Sequence, residues 1–155
     1  MKRLLFSGLI SCALIVLLAS VAYSEILAMQ NYESKPENTV RKEGLAIIDV
    51  DPKSSEFGKI VMDIPLQSDL VAHHLYYNRD MSKAYVTALG KKVLHVLDLK
   101  RSPYRIKAVE IPDCSVQEDI VFSEDNRTWY LTCMGSSNVI MGDARSDTPD
   151  RKSNV

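Results

Sequence analysis

Two stretches of this chain agree in register when laid over one another at an interval of 45 residues: Leu75–Gly90 (LYYNRDMSKAYVTALG) and Ile120–Gly135 (IVFSEDNRTWYLTCMG). Asp80 meets Asp125, Tyr85 meets Tyr130, Thr87 meets Thr132 and Gly90 meets Gly135. Leu75/Ile120, Tyr77/Phe122, Val86/Leu131 and Leu89/Met134 keep their apolar character. The same interval carries Asp98 onto Asp143, each closing an apolar run, and Asp49 closes another at a slightly longer interval. Ile64-Pro65 and Ile111-Pro112 end comparable runs. A unit of this size cannot bury its apolar face alone, so a chain that repeats it must stack one unit on the next.

The unit is made of strands. From Gly44 onward, short runs rich in Val, Ile, Leu and Tyr alternate with clusters of Asp, Asn, Ser, Lys and Pro, and no helical stripe is long enough to compete. Nine strands are predicted: Leu45–Val50, Lys59–Ile64, His74–Asn78, Lys83–Ala88, Val93–Leu99, Arg105–Ile111, Asp119–Ser123, Trp129–Cys133 and Val139–Asp143. Asn78-Arg79-Asp80 and Ser123-Glu124-Asp125-Asn126 are turn formers, because their short polar side chains bond nearby backbone. A period in the forties built of four strands is that of a β-propeller blade. With strands a to d numbered from the axis outward, the chain reads c-d, a-b-c-d, a-b-c. The predicted fold is therefore all-β, an incomplete propeller of about two four-stranded antiparallel blades. A β-sandwich whose hairpins resemble one another by chance is the alternative, and the long in-register match favours blades.

The ends of the chain differ from its middle. Met1-Lys2-Arg3 is a positive n-region, Leu4 to Ala22 is apolar, and Ala22-Tyr23-Ser24 places small residues where a signal peptidase cuts. Residues 1–24 are thus expected to be a signal peptide, which sends the protein to the periplasm or outside the cell. An uncleaved anchor is the alternative, since the apolar run nearly spans a bilayer, and it is the only membrane association expected. Cys12 sits too early in that run to be a lipoprotein cysteine. Residues 25–43 form a polar leader, 44–144 the blades, and 145–155 a polar tail too hydrophilic to supply a fourth strand. The full chain has 19 Lys+Arg against 20 Asp+Glu; without Lys2 and Arg3 the balance is 17 against 20, and nothing points to nucleic acid as a partner. Cys114 and Cys133 are permitted to pair in an oxidising compartment. Cys133 aligns with Ala88 as a small core residue and Cys114 lies in a loop, so two free thiols are expected.

The hairpin D-x-x-x-x-Y-V-T from Asp80 to Thr87, followed by an apolar strand ending in Asp98, resembles the YVTN class of propeller repeats. A longer order of motifs begins at Ile48-Asp49-Val50-Asp51-Pro52-Lys53-Ser54 and continues with a Gly-x-Val/Ile strand ending in Pro65. It then runs through His73-His74, a strand closing at Asp98, Ser102-Pro103 and Ile111-Pro112, and is similar to the selenium-binding protein / methanethiol oxidase family. The resemblance covers Gly44 to Ala144 and corresponds to early blades. It implies a propeller of several blades, thiol oxidation and a copper-type metal site near the axis, with the paired histidines falling on His73 and His74. Two departures are visible. No Cys-x-x-Cys follows the histidine pair, and Asp113–Glu118 (DCSVQE) contains no histidine, leaving Cys114 as a substitute thiolate.

The residues themselves place a second group beside the first. His73-His74 stand at the entry to the inner strand of one blade, and Glu118-Asp119 stand there in the next. Imidazole suits copper, zinc or iron, and neighbouring carboxylates complete or orient a coordination sphere. Successive strand residues point to opposite faces, so both histidines reach one ion only where the backbone is irregular. His95, inside a strand, is assigned to packing or a surface position. Three readings follow. One is an N-terminal portion of a methanethiol oxidase-like enzyme, inactive until the propeller is completed. Another is a non-catalytic YVTN-type module that binds a protein or small ligand, and the third is a truncated reading frame. With Ile47, Ile60, Val139 and Met141 assigned to uncovered outer faces, the chain is expected to need the remaining blades or an oligomeric partner. N-terminal sequencing of the exported protein should begin at Glu25; an intact Met1 on a membrane-bound product would overturn the cleavage.

Overall fold

The alternation of apolar and polar residues becomes eleven strands in three antiparallel sheets in the computed structural model, which describes residues 26–34 and 42–154. The expected signal peptide lies outside the described residues. The first sheet contains β1 (Leu27–Ser34), β2 (Lys42–Asp49) and β3 (Ile60–Leu66). The second contains β4 (Ala72–Tyr77), β5 (Lys83–Ala88), β6 (Val93–Asp98) and β7 (Arg105–Glu110). The third contains β8 (Gln117–Phe122), β9 (Thr128–Cys133), β10 (Asn138–Asp143) and β11 (Pro149–Asn154), in simple up-and-down order. All nine predicted strands are present.

The central strands of the second sheet, β5 and β6, are buried on both faces, which explains why they are nearly continuous apolar runs. Tyr85, Leu94, Val96 and Val109 meet Ile120, Phe122, Trp129, Leu131 and Ile140 of the third sheet. Ala84, Val86 and Leu97 meet Leu45, Ile64, Met29 and Met62 of the first. Each large side chain so enclosed contributes roughly 1.5–3 kcal/mol. The third sheet keeps clean alternation instead, because only one of its faces is covered. Its uncovered face repeats the buried one: Val121, Tyr130, Val139 and Met141 stand 45 residues after Tyr76, Tyr85, Leu94 and Val96. Val121 is 60% exposed, whereas Leu94 is fully enclosed. Trp129 fills the space above Gly142, where a Cβ would come within 2.0 Å of its ring.

Turn chemistry also recurs. Asp49 closes the middle strand of the first sheet, and Asp98 and Asp143 close the third strands of the other two; each accepts a hydrogen bond from the amide two residues on, at 2.9, 3.0 and 3.0 Å. The loop after Asp143 reaches back to the second sheet. There the Asp147 carboxylate accepts from the buried Tyr85 hydroxyl at 2.8 Å and pairs with Lys83 at 2.7 Å. Burial first, and that carboxylate second, push the Tyr85 hydroxyl well above its ordinary pKa.

Four expectations need correction. The segment read as a polar leader contains β1, which pairs along its whole length with β2, from Leu27 opposite Asp49 to Ser34 opposite Lys42. The tail read as too polar for a strand supplies β11, paired with β10. An outermost strand needs no apolar row, because it has little to pack against. Ile47 does not lie on an uncovered face: it shares the row of Leu45, lies opposite Met29 and is 2% exposed.

The fourth correction concerns the cysteines. Cys114 and Cys133 form a disulfide, with Cα atoms 5.1 Å apart. The loop carrying Cys114 runs antiparallel past the end of β9: the Met134 and Gly135 amides donate to the Val116 and Ser115 carbonyls, both at 2.9 Å. That extension brings the two side chains within bridging distance. Alkylation of the unreduced protein should therefore label neither Cys114 nor Cys133. Cys133→Ala should cost about 3 kcal/mol of stability for a loop of this length, read by denaturant melts.

His95 is buried in β6 between the first and second sheets, a packing position, and its Nδ1 has no hydrogen-bond partner among the described residues. Burial holds its pKa below the usual 6.5. The fold keeps the imidazole neutral while the unfolded chain takes up a proton near pH 6.5, so stability falls as pH drops below that value. Melts between pH 7.5 and 5.5 should show that loss, and His95→Leu should reduce it.

Candidate metal centre

The inner strands β4 and β8 do not start regularly. Ala72 pairs with Ala88 and Leu75 with Val86, so three steps along β4 oppose two along β5. Gln117 pairs with Cys133 and Ile120 with Leu131, the same irregularity 45 residues later. The extra residue is a β-bulge, which re-aims side chains that would otherwise alternate. The residues inside the two bulges are His73-His74 and Glu118-Asp119.

Both bulges are built with the same parts. The His74 amide donates to Thr87 Oγ1 at 3.1 Å, and the Asp119 amide donates to Thr132 Oγ1 at 2.9 Å. Each bulge follows a valine in the left-handed region, Val71 and Val116, both at φ 51°. A β-branched residue is strained there, by about 1–3 kcal/mol, and such strain clusters at functional sites. Gly90 and Gly135 make room for these turns: their amides donate to the Leu70 and Ser115 carbonyls, both at 2.9 Å. A Cβ at Gly90 would lie 2.4 Å from the Asp69 carbonyl oxygen.

The bulges bring the four side chains together across the second and third sheets. The two imidazole rings stack with centroids 3.7 Å apart. His73 Nε2 lies 3.1 Å from Glu118 Oε2, and His74 Nδ1 lies 3.5 Å from Asp119 Oδ1. The Tyr76 hydroxyl joins the second pair, 3.1 Å from His74 Nδ1 and hydrogen-bonded to the Asp119 carboxylate. Burial, and then that carboxylate, push the Tyr76 hydroxyl up to about 12. One donor atom each from His73, His74 and Glu118 falls within 4.8 Å of the others. Two imidazoles and a carboxylate are a donor set that suits copper, zinc or iron, so these residues fit the metal that the resemblance implies.

Not every sequence candidate joins this group. Asp119 stands at its outer side and is tied to Tyr76 and His74. Cys114 offers no thiolate, because its sulfur is bonded to Cys133, and its reading as a substitute ligand is withdrawn. Sequence reasoning missed the hydroxyl contacts of Tyr76. It also missed Thr87 and Thr132 as supports of the bulges, although their match in the repeat was the available signal.

No family model matches the chain, and no curated protein matches its sequence. Several solved structures share its fold. A hypothetical selenium-binding protein from Sulfolobus tokodaii superposes with a TM-score of 0.66 at 20% identity, over 81% of this chain and 33% of its own. The periplasmic gluconolactonase of Pseudomonas aeruginosa gives 0.60 at 18% identity, over 83% of this chain and 39% of its own. The hydrazine synthase of Kuenenia stuttgartiensis gives 0.56 at 10% identity, over 82% and 47%. The likeness establishes an all-β, propeller-type fold, and the chain spans less than half the length of each of these structures.

Proposed function

We propose that the chain is the blade-bearing part of an exported propeller protein that binds a transition metal, copper foremost, through His73, His74 and Glu118. The observation that carries this reading is the convergence of the three donor atoms within 4.8 Å, produced by two bulges at matching positions of the repeat. A structural role alone does not require two strained valines and a pair of adjacent imidazoles at the start of a strand. Copper held here would supply redox chemistry of the kind on which a thiol oxidation could draw. The chain's own part is to orient the imidazoles, with Glu118 against His73 and Tyr76 and Asp119 against His74.

The order of motifs and the likeness to a selenium-binding protein support a relationship to the selenium-binding protein / methanethiol oxidase group. In this reading the remaining blades, or an oligomeric partner, cover the uncovered face of the third sheet and complete the coordination sphere. The chain by itself is then inactive as an oxidase, and its site works in the periplasm or outside the cell.

Calorimetric titration of the full chain with copper and zinc ions tests the assignment. Binding should be lost in the double variant His73→Ala/His74→Ala and kept in His95→Ala, whose imidazole lies away from the bulges. Unchanged affinity in the double variant would remove the metal from this site and leave the non-catalytic YVTN-type module as the reading.

A further inference from the structure

The backbone around His73 is held by more than its own sheet. The Asn31 side-chain nitrogen, on β1, donates to the Ala72 carbonyl at 2.9 Å and to the His73 carbonyl at 3.2 Å. Glu43, at the start of β2, accepts from the Ala72 amide at 3.1 Å. From the other side, Gln117 accepts from the amide of Ala88, the β5 partner of Ala72, at 3.3 Å. A bulge breaks the ladder between two strands and leaves main-chain groups to be satisfied from elsewhere. Here the satisfaction comes from the sheets on both sides.

Asn31 is the informative member of this set. It stands in the row of β1 that faces the second sheet, two residues after Met29, which packs into the core there. An apolar residue would suit that row; an amide is needed only if it must donate. Its one NH2 group spans two successive carbonyls, which fixes their relative orientation across the His73 peptide. That orientation decides whether His73 and His74 project to one side.

We infer that Asn31 is a positioning residue for the metal centre: by bridging the Ala72 and His73 carbonyls from the neighbouring sheet, it holds the histidine bulge in the ligating geometry. The first sheet then takes part in the site without lending it a ligand. The inference rests on the metal reading above for its affinity readout, and it also has a readout that needs no metal.

The test is Asn31→Asp in the full chain. The variant keeps the shape of the side chain but replaces the donor with an acceptor that repels both carbonyls. Copper affinity measured by titration should fall about ten- to hundredfold, the usual loss when a residue behind a ligand is changed. Gln30→Glu, a like charge change on the adjacent exposed residue, should leave it unaltered. In the metal-free protein, the His74 amide, bonded to Thr87, should exchange with deuterium faster in Asn31→Asp, while amides in β6 keep their protection. If Asn31→Asp does not fold, Asn31→Ser, with a donor too short to span both carbonyls, takes its place with the same expectations. Affinity and His74 exchange both matching the unaltered protein, or a loss no larger than that of Gln30→Glu, would overturn the inference. If the unaltered chain binds no copper, the metal reading fails instead, and His74 exchange alone decides the role of Asn31.

Discussion

Enclosure of β5 and β6 on both faces is the constraint on which the rest of the molecule depends. Val86 and Leu97 look one way and Tyr85, Leu94 and Val96 the other, so β5 and β6 have no solvent-facing side. Such a strand cannot shift register by one residue without exchanging its two apolar rows; β4 takes its register from β5, as β8 does from β9. The irregularities at their starts are therefore pinned between rigid layers. The tie from Asp147 to Tyr85 and Lys83 holds the third sheet against the second at the far side of the same contact.

Against this background the two bulges act as a single device used twice. A left-handed valine turns the chain, a glycine amide receives it, and a threonine hydroxyl takes the amide that the bulge frees. The strain of the valines, about 1–3 kcal/mol each, is small beside the burial of Tyr85, Trp129 and Leu131 behind them. What differs between the copies is the pair of side chains presented, two imidazoles in one and two carboxylates in the other. Opposite chemistry at equivalent points of adjacent blades is what creates a donor cluster between them.

The repeat made much of this legible. It located all nine predicted strands, the closing aspartates and the adjacency of His73-His74 to Glu118-Asp119. What escaped did so for physical reasons. Met29 and Asn31 stand in the packing row of β1, and the polar Asn31 in that row hides its period; β11 has no apolar row at all. The disulfide escaped because it depends on a loop running alongside a strand end, which strand patterning does not describe. The bulge escaped because the rule of alternating faces argues against it, and because valine, not glycine, occupies the left-handed position. Asn31 left no mark in the sequence, since its partners are carbonyls, which every residue carries.

The separation of scaffold from presented side chains bears on how such a chain changes over time. The turn, the hydroxyl and the glycine that make a bulge are distinct from the two residues displayed on it. Substitution of the displayed pair leaves these supports in place, whereas a change at Thr87 removes the hydroxyl that takes the His74 amide, and a side chain at Gly90 would meet the Asp69 carbonyl. Selection can then revise the chemistry of one rim position while the architecture is inherited whole. A duplicated blade arrives with an aimed pair of positions already in place, open to whatever two residues mutation supplies.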